Sequence, residues 1–479
     1  MKSFFVVVSV ISLQFLGCSN FLSFQRSPIE TFRAEVDSVL TDSIFTAADA
    51  AIKIMSLESG EVLYERNSKK LMRPASNLKL LTSSTALCVL GGNFSIPTKI
   101  LYDGEIRDSV LIGNLYVKGY GDPDFMPQHF VPLVSEIKKL GIHKISGNLV
   151  GDTTYFDEKR WGVGWMWDDE PSDYSAFNSP LTISRNCVQV NVHAGQKIGD
   201  TVAVDTDPPT KFVTVENMAV TDTSNTLEIS RKLDEQINIV TVKGTKKLDT
   251  LSRKELVSVR HPELYFLTLL KEELNRQQID ISGNIQFSNI PATATSIAQH
   301  SQPIDSMIIF LNKESDNLSA ENTLKILGAE KFGVPGTTEH GISMVKQTMS
   351  SFGIDTTKFL MVDGSGVSHY NLVTADMYIT LLKEMYKKKE LFNLFFNSLP
   401  NAGIDGTLED RMKHTSAENN LHAKTGTISG VSSLSGYVRT AEGEMLAFSI
   451  FMQNFIGSSR PYRTAQDAIG ILMANFSKR

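Results

Sequence analysis

A serine and a lysine three residues apart are the first side chains in this sequence whose types and spacing could do chemistry: Ser76 and Lys79, in Ser-Asn-Leu-Lys. Nucleophilic catalysis needs a hydroxyl, a group that takes its proton and donors for the oxyanion. Positions i and i+3 of a helix face the same side, so the two side chains could meet. Unpaired N–H groups at a helix N-terminus favour an alkoxide and a neutral amine, and desolvation lowers a lysine pKa further. The pair predicts a nucleophile, Ser76, with Lys79 as its base.

Two short motifs follow later in the chain. Ser315-Asp316-Asn317 offers a second hydroxyl for a proton relay and an amide that could hold a substrate carbonyl. Lys424-Thr425-Gly426-Thr427 occurs once; its lysine could attract a substrate carboxylate, and its glycine would let an extended substrate pair with the strand edge. Each motif alone is weak evidence, because Ser-x-x-Lys recurs at Ser135 and Ser343. All three in this order form the motif set of penicillin-recognising serine enzymes.

The elements that must position these residues lie at both ends of the chain. Residues 74–90 form a helical apolar pattern that stops at Gly91-Gly92. Two apolar runs before it, 51–55 and 62–64, flank a glycine-containing turn and predict a hairpin. Near the other end, strand-like runs at 434–438 and 445–451 precede an amphipathic helix from about 462 to 476. We therefore expect one α/β (α+β) domain built from both chain ends, with the middle of the chain inserted into it.

The inserted part contains an internal repeat. A helical pattern at 130–140 precedes Ile145-Ser146-Gly147-Asn148, and another at 262–275 precedes Ile281-Ser282-Gly283-Asn284. This similarity predicts two copies of one helix–strand unit. Residues 189–257, between the copies, alternate in a strand-like manner and predict a small β-rich subdomain. All three tryptophans, at 161, 165 and 167, lie together beside an acidic run, which favours a loop that anchors packing.

The composition excludes several classes of protein. Of the 479 residues 41% are hydrophobic, enough for packed cores, so a disordered chain is excluded. The 47 Lys and Arg against 53 Asp and Glu give a net charge of -6 with no basic run, so nucleic acid is not an expected partner. The three cysteines have no CxxC spacing and the nine histidines no HExxH spacing, so we expect no metal and no cofactor. Cys88 and Cys187 are expected to remain unpaired.

The first 18 residues predict a secretory signal. Lys2 precedes a mostly apolar run from Phe4 to Leu16, which is too short to span a bilayer as a helix. Leu16-Gly17-Cys18 then resembles the cleavage box of bacterial lipoproteins, which would make Cys18 the lipid-attachment residue. The alternative is ordinary signal-peptidase cleavage nearby. In both cases we expect an exported protein of the periplasm or cell envelope that touches a membrane only through a lipid anchor.

At this point the chain resembles a known family, the D-Ala-D-Ala carboxypeptidases and endopeptidases among the low-molecular-mass class C penicillin-binding proteins. The long insertion between Lys79 and Ser315 is typical of that class. Further similar segments are spread over nearly the whole mature chain: Gly113–Gly119 with Gly121-Asp122-Pro123, Gly147–Asp152, Gly164–Glu170 and Asp363-Gly364-Ser365-Gly366.

The resemblance implies a penicillin-binding, β-lactamase-like transpeptidase domain. It would comprise residues 21–97 and 301–479, with an inserted domain of residues 98–188 and 258–300 and a nested subdomain of residues 189–257. By position, the catalytic residues are Ser76, Lys79, Ser315 and Asn317, and the substrate-binding residues are Lys424, Thr425, Gly426, Thr427 and Asp152. Asp152 matches an acidic residue of the inserted domain that approaches the amino end of a diamino-acid side chain. Peptidoglycan stem peptides would be the substrates, and β-lactams covalent inhibitors.

One position departs from the family. After Asp363-Gly364-Ser365-Gly366-Val367-Ser368 the family usually has Arg, but this chain has His369, which is mostly neutral at pH 7. The departure leaves the recognition of the stem-peptide diamino acid open.

Several alternatives remain at this stage. Ser76 could be only a helix N-cap, Lys79 a solvated surface charge and Asp152 a turn aspartate. The same site could serve a β-lactamase, which differs in deacylation rate. The chain could also be a non-catalytic lipoprotein that binds cell-wall fragments.

Overall fold

The computed structural model describes residues 26–233 and 237–479. The predicted signal, residues 1–18 with Cys18, lies outside the described residues. The α-helices are α1 (Pro28–Val39), α2 (Lys79–Leu90), α3 (Phe130–Lys139), α4 (Pro262–Arg276), α5 (Ile304–Lys313), α6 (Asn317–Phe332), α7 (Thr338–Ser351), α8 (Ala375–Lys387), α9 (Lys389–Ser398) and α10 (Arg460–Asn475).

The strands are numbered in chain order: β1 (Asp49–Ser56), β2 (Val62–Arg66), β3 (Ser95–Tyr102), β4 (Glu105–Arg107), β5 (Val110–Ile112), β6 (Leu115–Gly119), β7 (Lys144–Ile145), β8 (Leu149–Asp152), β9 (Cys187–His193), β10 (Ala203–Asp207), β11 (Val213–Asn217), β12 (Val220–Asp222), β13 (Glu228–Arg231), β14 (Asn238–Lys243), β15 (Thr245–Lys247), β16 (Arg253–Ser258), β17 (Asp280–Ile281), β18 (Ile285–Phe287), β19 (Thr295–Pro303), β20 (His422–Ile428), β21 (Val431–Arg439) and β22 (Met445–Gln453).

The two ends of the chain meet in one antiparallel sheet with the order β2-β1-β22-β21-β20. The predicted hairpin and the predicted C-terminal strands are confirmed, and the fold class is confirmed with them. Alternate residues of each strand face opposite sides of the sheet. Thus Met445, Ala447 and Phe451 of β22 join one apolar cluster, while Phe448 and Ile450 join the other. Helices cover both faces, so β21 and β22 are buried almost throughout.

Helix α2 is the central helix of one face. It packs against α5, α6, α7 and α9, while α8 packs directly on β22 and β1. Helices α1 and α10 cover the other face. Because α2 is surrounded, even its polar residues Lys79, Thr82 and Ser83 are buried. The nucleophile motif is therefore placed at the end of a helix that runs through the core.

The inserted part contains the predicted repeat, and the strands of its copies lie side by side in one sheet. β18 pairs in parallel with β8, and β8 pairs in parallel with β6. The Asn148 side-chain oxygen accepts from the Asn284 N–H at 2.9 Å, and that of Asn114 accepts from the Asn148 N–H at 2.8 Å. A third Gly-Asn step, Gly113-Asn114, thus precedes β6 in the same way, and sequence reasoning missed it because the serine of the other two copies is absent there.

Residues 189–257 form mainly short strands, which agrees with the predicted β-rich character, and the described residues of this stretch form no α-helix. Their sheets have the orders β10-β9-β16, β11-β14-β13 and β12-β15. The predicted boundaries near residues 97 and 300 fall within β3 and β19, which pair with each other over their length. The domain limits remain predictions.

Two further features concern the cysteines and the helices. Cys88 and Cys187 are free thiols, as expected. In the described part of the chain, no helix is both long and apolar enough to cross a membrane.

Candidate active site

Ser76 lies in a 3-10 turn, Ala75–Leu78, that leads directly into α2. Because a 3-10 helix has three residues per turn, residues i and i+3 lie one above the other. Lys79 Nζ accordingly donates to Ser76 Oγ over 3.0 Å. Neither this turn nor α2 has a side-chain cap, so the interpretation of Ser76 as only an N-cap is wrong. The sequence placed Ser76 in the first turn of an α-helix; the structure tightens that turn.

Lys79 is a buried amine rather than a surface charge, with 0% of the residue exposed. Besides Ser76 Oγ, its Nζ donates to Asn317 Oδ1 over 2.6 Å and to the Ser365 carbonyl over 2.8 Å. Burial lowers the pKa of Lys79 to about 8, and the negative charges of Asp316, Asp363 and Glu321 oppose that decrease. A base must be neutral to accept a proton, so burial prepares this amine for the predicted role.

The Ser315-Asp316-Asn317 motif forms the turn that starts α6. Asp316 caps the helix by accepting from the Ser319 N–H at 2.6 Å. Asn317 accepts from Lys79 and donates from Nδ2 to the Tyr174 carbonyl over 2.6 Å. Ser315 has a left-handed backbone, φ 61, and lines the same cleft as Ser76. Among the described residues, no hydrogen bond joins the Ser315 hydroxyl to Ser76 or Lys79.

The third motif lies on the edge strand β20, against the Ser76 turn. Asn77 Nδ2 donates to the Lys424 carbonyl over 3.0 Å and so fixes the turn to the strand. A Cβ on Gly426 would lie only 2.9 Å from the Ser76 nitrogen and 2.7 Å from the Pro74 carbonyl oxygen, so the backbones require a glycine there. The glycine of this motif therefore positions the nucleophile turn as well as leaving the strand edge open.

Lys424 lies beneath the strand rather than in the cleft. It is 0% exposed, and its Nζ donates to the Thr425 carbonyl over 3.0 Å. Burial, and then the positive charge of Lys79, lower the pKa of Lys424 well below its usual value. A substrate carboxylate would reverse that effect by supplying a nearby negative charge. Thr425, Gly426 and Thr427 line the accessible surface above it.

Glu321 and Asp363 are buried carboxyls that sequence reasoning missed. Glu321 Oε1 accepts from the N–H groups of Gly364 and Ser365, each at 2.8 Å, and so holds the turn whose Ser365 carbonyl receives Lys79. Burial raises the pKa of both carboxyls, and for Glu321 the Asp363 charge adds to it. One signal in the sequence could have indicated Glu321. It follows Asn317 by four residues in a helical pattern, and this spacing places both side chains on one side of α6.

Asp363 organises the loop that ends in His369. Its carboxylate accepts from the N–H groups of Gly366 and Ser368 at 2.9 and 2.7 Å, and from Trp165 Nε1 at 3.0 Å. Trp165 thus anchors the tryptophan loop, as predicted, whereas Trp167 is 73% exposed. The loop does more than pack, because its neighbours Met166 and Asp169 line the cleft.

Ser76 opens into a cleft of about 450 Å³. The residues that line it are Ser76, Gly164, Met166, Asp169, Tyr174, Ser315, Asn317, Gly366, Val367, His369, Thr427, Ile428 and Ser429. Asp169 is the acidic member of this set, and Tyr174 Oη donates to Asp169 Oδ1 over 2.6 Å. Burial, and then the charge of Arg73, lower the pKa of His369. The cleft wall therefore presents a carboxylate and a neutral imidazole.

Asp152 is not among the residues that line this cleft. It ends β8 with 2% of the residue exposed, and its carboxylate accepts from the Thr154 N–H at 2.9 Å and pairs with Lys118 at 3.2 Å. The structure thus brings Ser76, Lys79, Ser315, Asn317, Thr425, Gly426 and Thr427 together, with Lys424 beneath them, and leaves Asp152 in the inserted sheet. Asp169, from the acidic run beside the tryptophans, is the inserted-domain acid at the cleft.

Comparison with known proteins gives consistent matches. A model of the D-Ala-D-Ala carboxypeptidase 3 (S13) family matches residues 32–476. A D-alanyl-D-alanine carboxypeptidase of Actinomadura sp. (strain R39) is 32% identical over 98% of this chain and 90% of its own. D-alanyl-D-alanine carboxypeptidase DacB of Haemophilus influenzae is 27% identical over 87% of this chain and 88% of its own.

Solved structures resemble the fold over a similar length. Penicillin binding protein 4 of Haemophilus influenzae matches with a TM-score of 0.82 at 24% identity, over 92% of this chain and 99% of that one. The same protein in complex with a β-lactam matches with a TM-score of 0.77 at 24% identity, over 92% of this chain and 100% of that one.

Proposed function

The chain belongs to the D-Ala-D-Ala carboxypeptidase 3 (S13) family and is a D-Ala-D-Ala carboxypeptidase, and from that premise we propose that Ser76 is the residue that carries its acyl group. One observation carries this assignment. A buried amine, Lys79 Nζ, lies 3.0 Å from Ser76 Oγ with a pKa lowered to about 8. A hydroxyl next to an amine that is neutral in part at pH 7 is an activated nucleophile.

The proposed reaction has two halves. Lys79 takes the Ser76 proton as Oγ attacks the carbonyl of the penultimate D-alanine, and the backbone N–H groups of Ser76 and Thr427 stabilise the oxyanion. The C–N bond then breaks, and the proton passes to the leaving amine with Ser315 as relay. Water hydrolyses the acyl-enzyme and restores Ser76.

Polar groups around the nucleophile hold the substrate in this proposal. Asn317 holds Lys79 through Oδ1 and faces the acyl group. The substrate's terminal carboxylate lies over Thr425 and Thr427, and the buried Lys424 attracts it from below. A carboxylate at this position also opposes the effect of burial on the Lys424 pKa, because a nearby negative charge favours the protonated amine.

We infer further that Asp169, rather than Asp152, receives the amino end of a stem-peptide side chain. Asp169 lines the cleft beside Ser76 and is oriented by Tyr174, whereas Asp152 already pairs with Lys118. Asp169→Asn should raise KM for a substrate with a free side-chain amine and leave the N-acetylated substrate unchanged. Asp152→Asn is the matched control. An amine preference that survives in Asp169→Asn and disappears in Asp152→Asn would restore the assignment made from sequence.

Labelling with a fluorescent penicillin tests the nucleophile. We expect covalent attachment to the wild type and none to Ser76→Ala, with peptide mass spectrometry locating the adduct on Ser76. A label that persists on Ser76→Ala rejects the assignment. Adduct lifetime separates the related activity: turnover within seconds would favour a β-lactamase, and no D-Ala release from a stem pentapeptide with retained binding would favour a cell-wall receptor.

The cellular setting is also part of the proposal. Stem peptides and peptidoglycan cross-links, the proposed substrates of the carboxypeptidase and DD-endopeptidase activities, lie in the cell envelope. The signal predicted in residues 1–18 would direct the protein there. Cys18 would carry the lipid. Incorporation of a labelled fatty acid into the wild type but not into Cys18→Ser supports the anchor, and equal incorporation in both excludes it.

A further inference from the structure

A second recess of about 220 Å³ opens from Ser76 on the side away from Asp169. The residues that line it are Ser76, Ser315, Thr407, Arg411, Thr425, Gly426, Thr427 and Arg463. It shares Ser76, Ser315 and Thr427 with the main cleft but follows β20 toward Thr425, whereas the main cleft continues past Thr427 to Ser429. The two cavities therefore extend in opposite directions along one strand, with the nucleophile between them. We call the second one the arginine recess.

The direction of the strand assigns a role to each side. Residues 425 and 427 of β20 point to the same face, because side chains alternate along a strand. A substrate carboxylate over these threonines places the departing amino acid on the arginine-recess side. The acyl part of the substrate then occupies the main cleft, where Asp169 and His369 lie.

The two arginines give the recess its charge. Arg411 is held in place: it pairs with Asp467 at 2.7 Å and also donates to Gln466 Oε1 over 3.2 Å. Arg463 is exposed at the start of α10, and within residues 26–233 and 237–479 no hydrogen bond or ion pair holds its side chain. Asp467 lies near both guanidinium groups, and one carboxylate offsets only one of two positive charges. The recess therefore keeps a net positive charge beside three threonine hydroxyls. In the proposed function the single carboxylate of a D-alanine leaving group is already held over Thr425 and Thr427, so the Arg463 guanidinium is available to a second carboxylate.

We propose that the arginine recess binds a second carboxylate of the leaving group, so that the enzyme prefers to release a D-amino acid with an acidic side chain. This inference rests on the proposed function and extends it. The C–N bond breaks as before, the acyl group remains on Ser76, and the leaving amine takes the proton from Lys79. Arg463 is a specificity residue that contacts only the remote carboxylate.

Matched substrates test the proposal with the full chain. N-acylated D-Ala-D-Glu and D-Ala-D-Gln differ by one remote carboxylate, and D-Ala-D-Ala lacks the side chain. We expect kcat/KM for D-Glu release to exceed that for D-Gln release by about fivefold, the factor for one partly exposed ion pair. Arg463→Gln should abolish this ratio and leave D-Ala release unchanged. Arg460→Gln removes an exposed cation of the same helix outside the recess and should preserve the ratio. The ratio should also decrease as salt concentration rises.

The outcomes separate this inference from the function beneath it. If the wild type releases D-Glu and D-Gln equally while D-Ala release and penicillin labelling are normal, only the arginine-recess proposal is overturned. It is equally overturned if Arg463→Gln and Arg460→Gln change the ratio alike. If the wild type neither releases D-Ala nor reacts with penicillin, the proposed function and this inference fall together.

Discussion

The rate at which penicillin acylates Ser76 should follow the titration of Lys79. The structure gives this amine a pKa of about 8, so about one tenth of it is neutral at pH 7 and about one hundredth at pH 6. If the neutral amine is the base, the acylation rate rises about tenfold per pH unit below pH 8 and levels off above it.

Asn317→Asp should raise the pH midpoint of the acylation rate, and the geometry of the Lys79 site gives the reason. It places a carboxylate oxygen where Asn317 Oδ1 now accepts from Lys79 Nζ over 2.6 Å. An opposite charge this close raises the amine's pKa by about 1 to 3. The rate at pH 7 should therefore fall roughly tenfold to a thousandfold, and the midpoint should move to about pH 9 or higher. Asn317→Ala removes the acceptor without adding a charge, so its midpoint should not rise.

The assay is stopped-flow acylation by a fluorescent penicillin between pH 5.5 and 9.5, with thermal unfolding to show that each variant is folded. Other titratable groups face the site: Asp316, Glu321 and Asp363 around Lys79, and His369 in the cleft. Burial keeps the His369 pKa below its usual value, so its imidazole is mostly neutral over the upper part of the range. A flat profile in the wild type, or one midpoint shared by the wild type and Asn317→Asp, would refute Lys79 as the base.

Two other substitutions test how the site is held together. Gly426→Ala should lower the penicillin acylation rate at least tenfold, because its methyl group would lie 2.9 Å from the Ser76 nitrogen. Gly470→Ala is the control and should keep the rate, because its methyl group would meet only the ends of side chains. Equal rates in the two variants would show that catalysis does not need the close approach of Gly426 to the Ser76 turn. Trp165→Phe removes the indole N–H that donates to Asp363 over 3.0 Å, so the free energy of unfolding, measured with urea, should fall by about 1–3 kcal/mol. A fall of less than about 0.5 kcal/mol would contradict the contribution of that hydrogen bond.

Features set by local spacing could be predicted from the sequence. The contact between Ser76 and Lys79 follows from their spacing of three residues, about one helical turn, and the structure confirms it. The hairpin and the C-terminal strands follow from alternation and turn residues, and these also predicted that both chain ends share a sheet. Short-range geometry determines all of these features, so a single sequence suffices for them.

Features set by long-range packing could not be predicted in the same way. Glu321 supports Lys79 only because α6 packs beside the 363–366 turn, and no spacing in the sequence records that contact. Asp152 matched a family position, but its strand turns the carboxylate toward Lys118, while Asp169 lies in an acidic run that looked like a packing loop. Which of several acids reaches a cleft depends on the loop that carries it.

Close backbone approaches, together with the Asn77 side chain, hold the nucleophile in place. Ala75, just before Ser76, has a left-handed φ of 47, which costs energy for a residue with a Cβ. Gly366 and Gly426 both approach this turn closely: a Cβ on Gly366 would lie 1.9 Å from the Ala75 carbonyl oxygen, and one on Gly426 would lie 2.9 Å from the Ser76 nitrogen. Since both neighbours belong to distant motifs, the strained turn persists only when all three segments are packed. The nucleophile is therefore positioned by the completed fold, although its pairing with Lys79 is local.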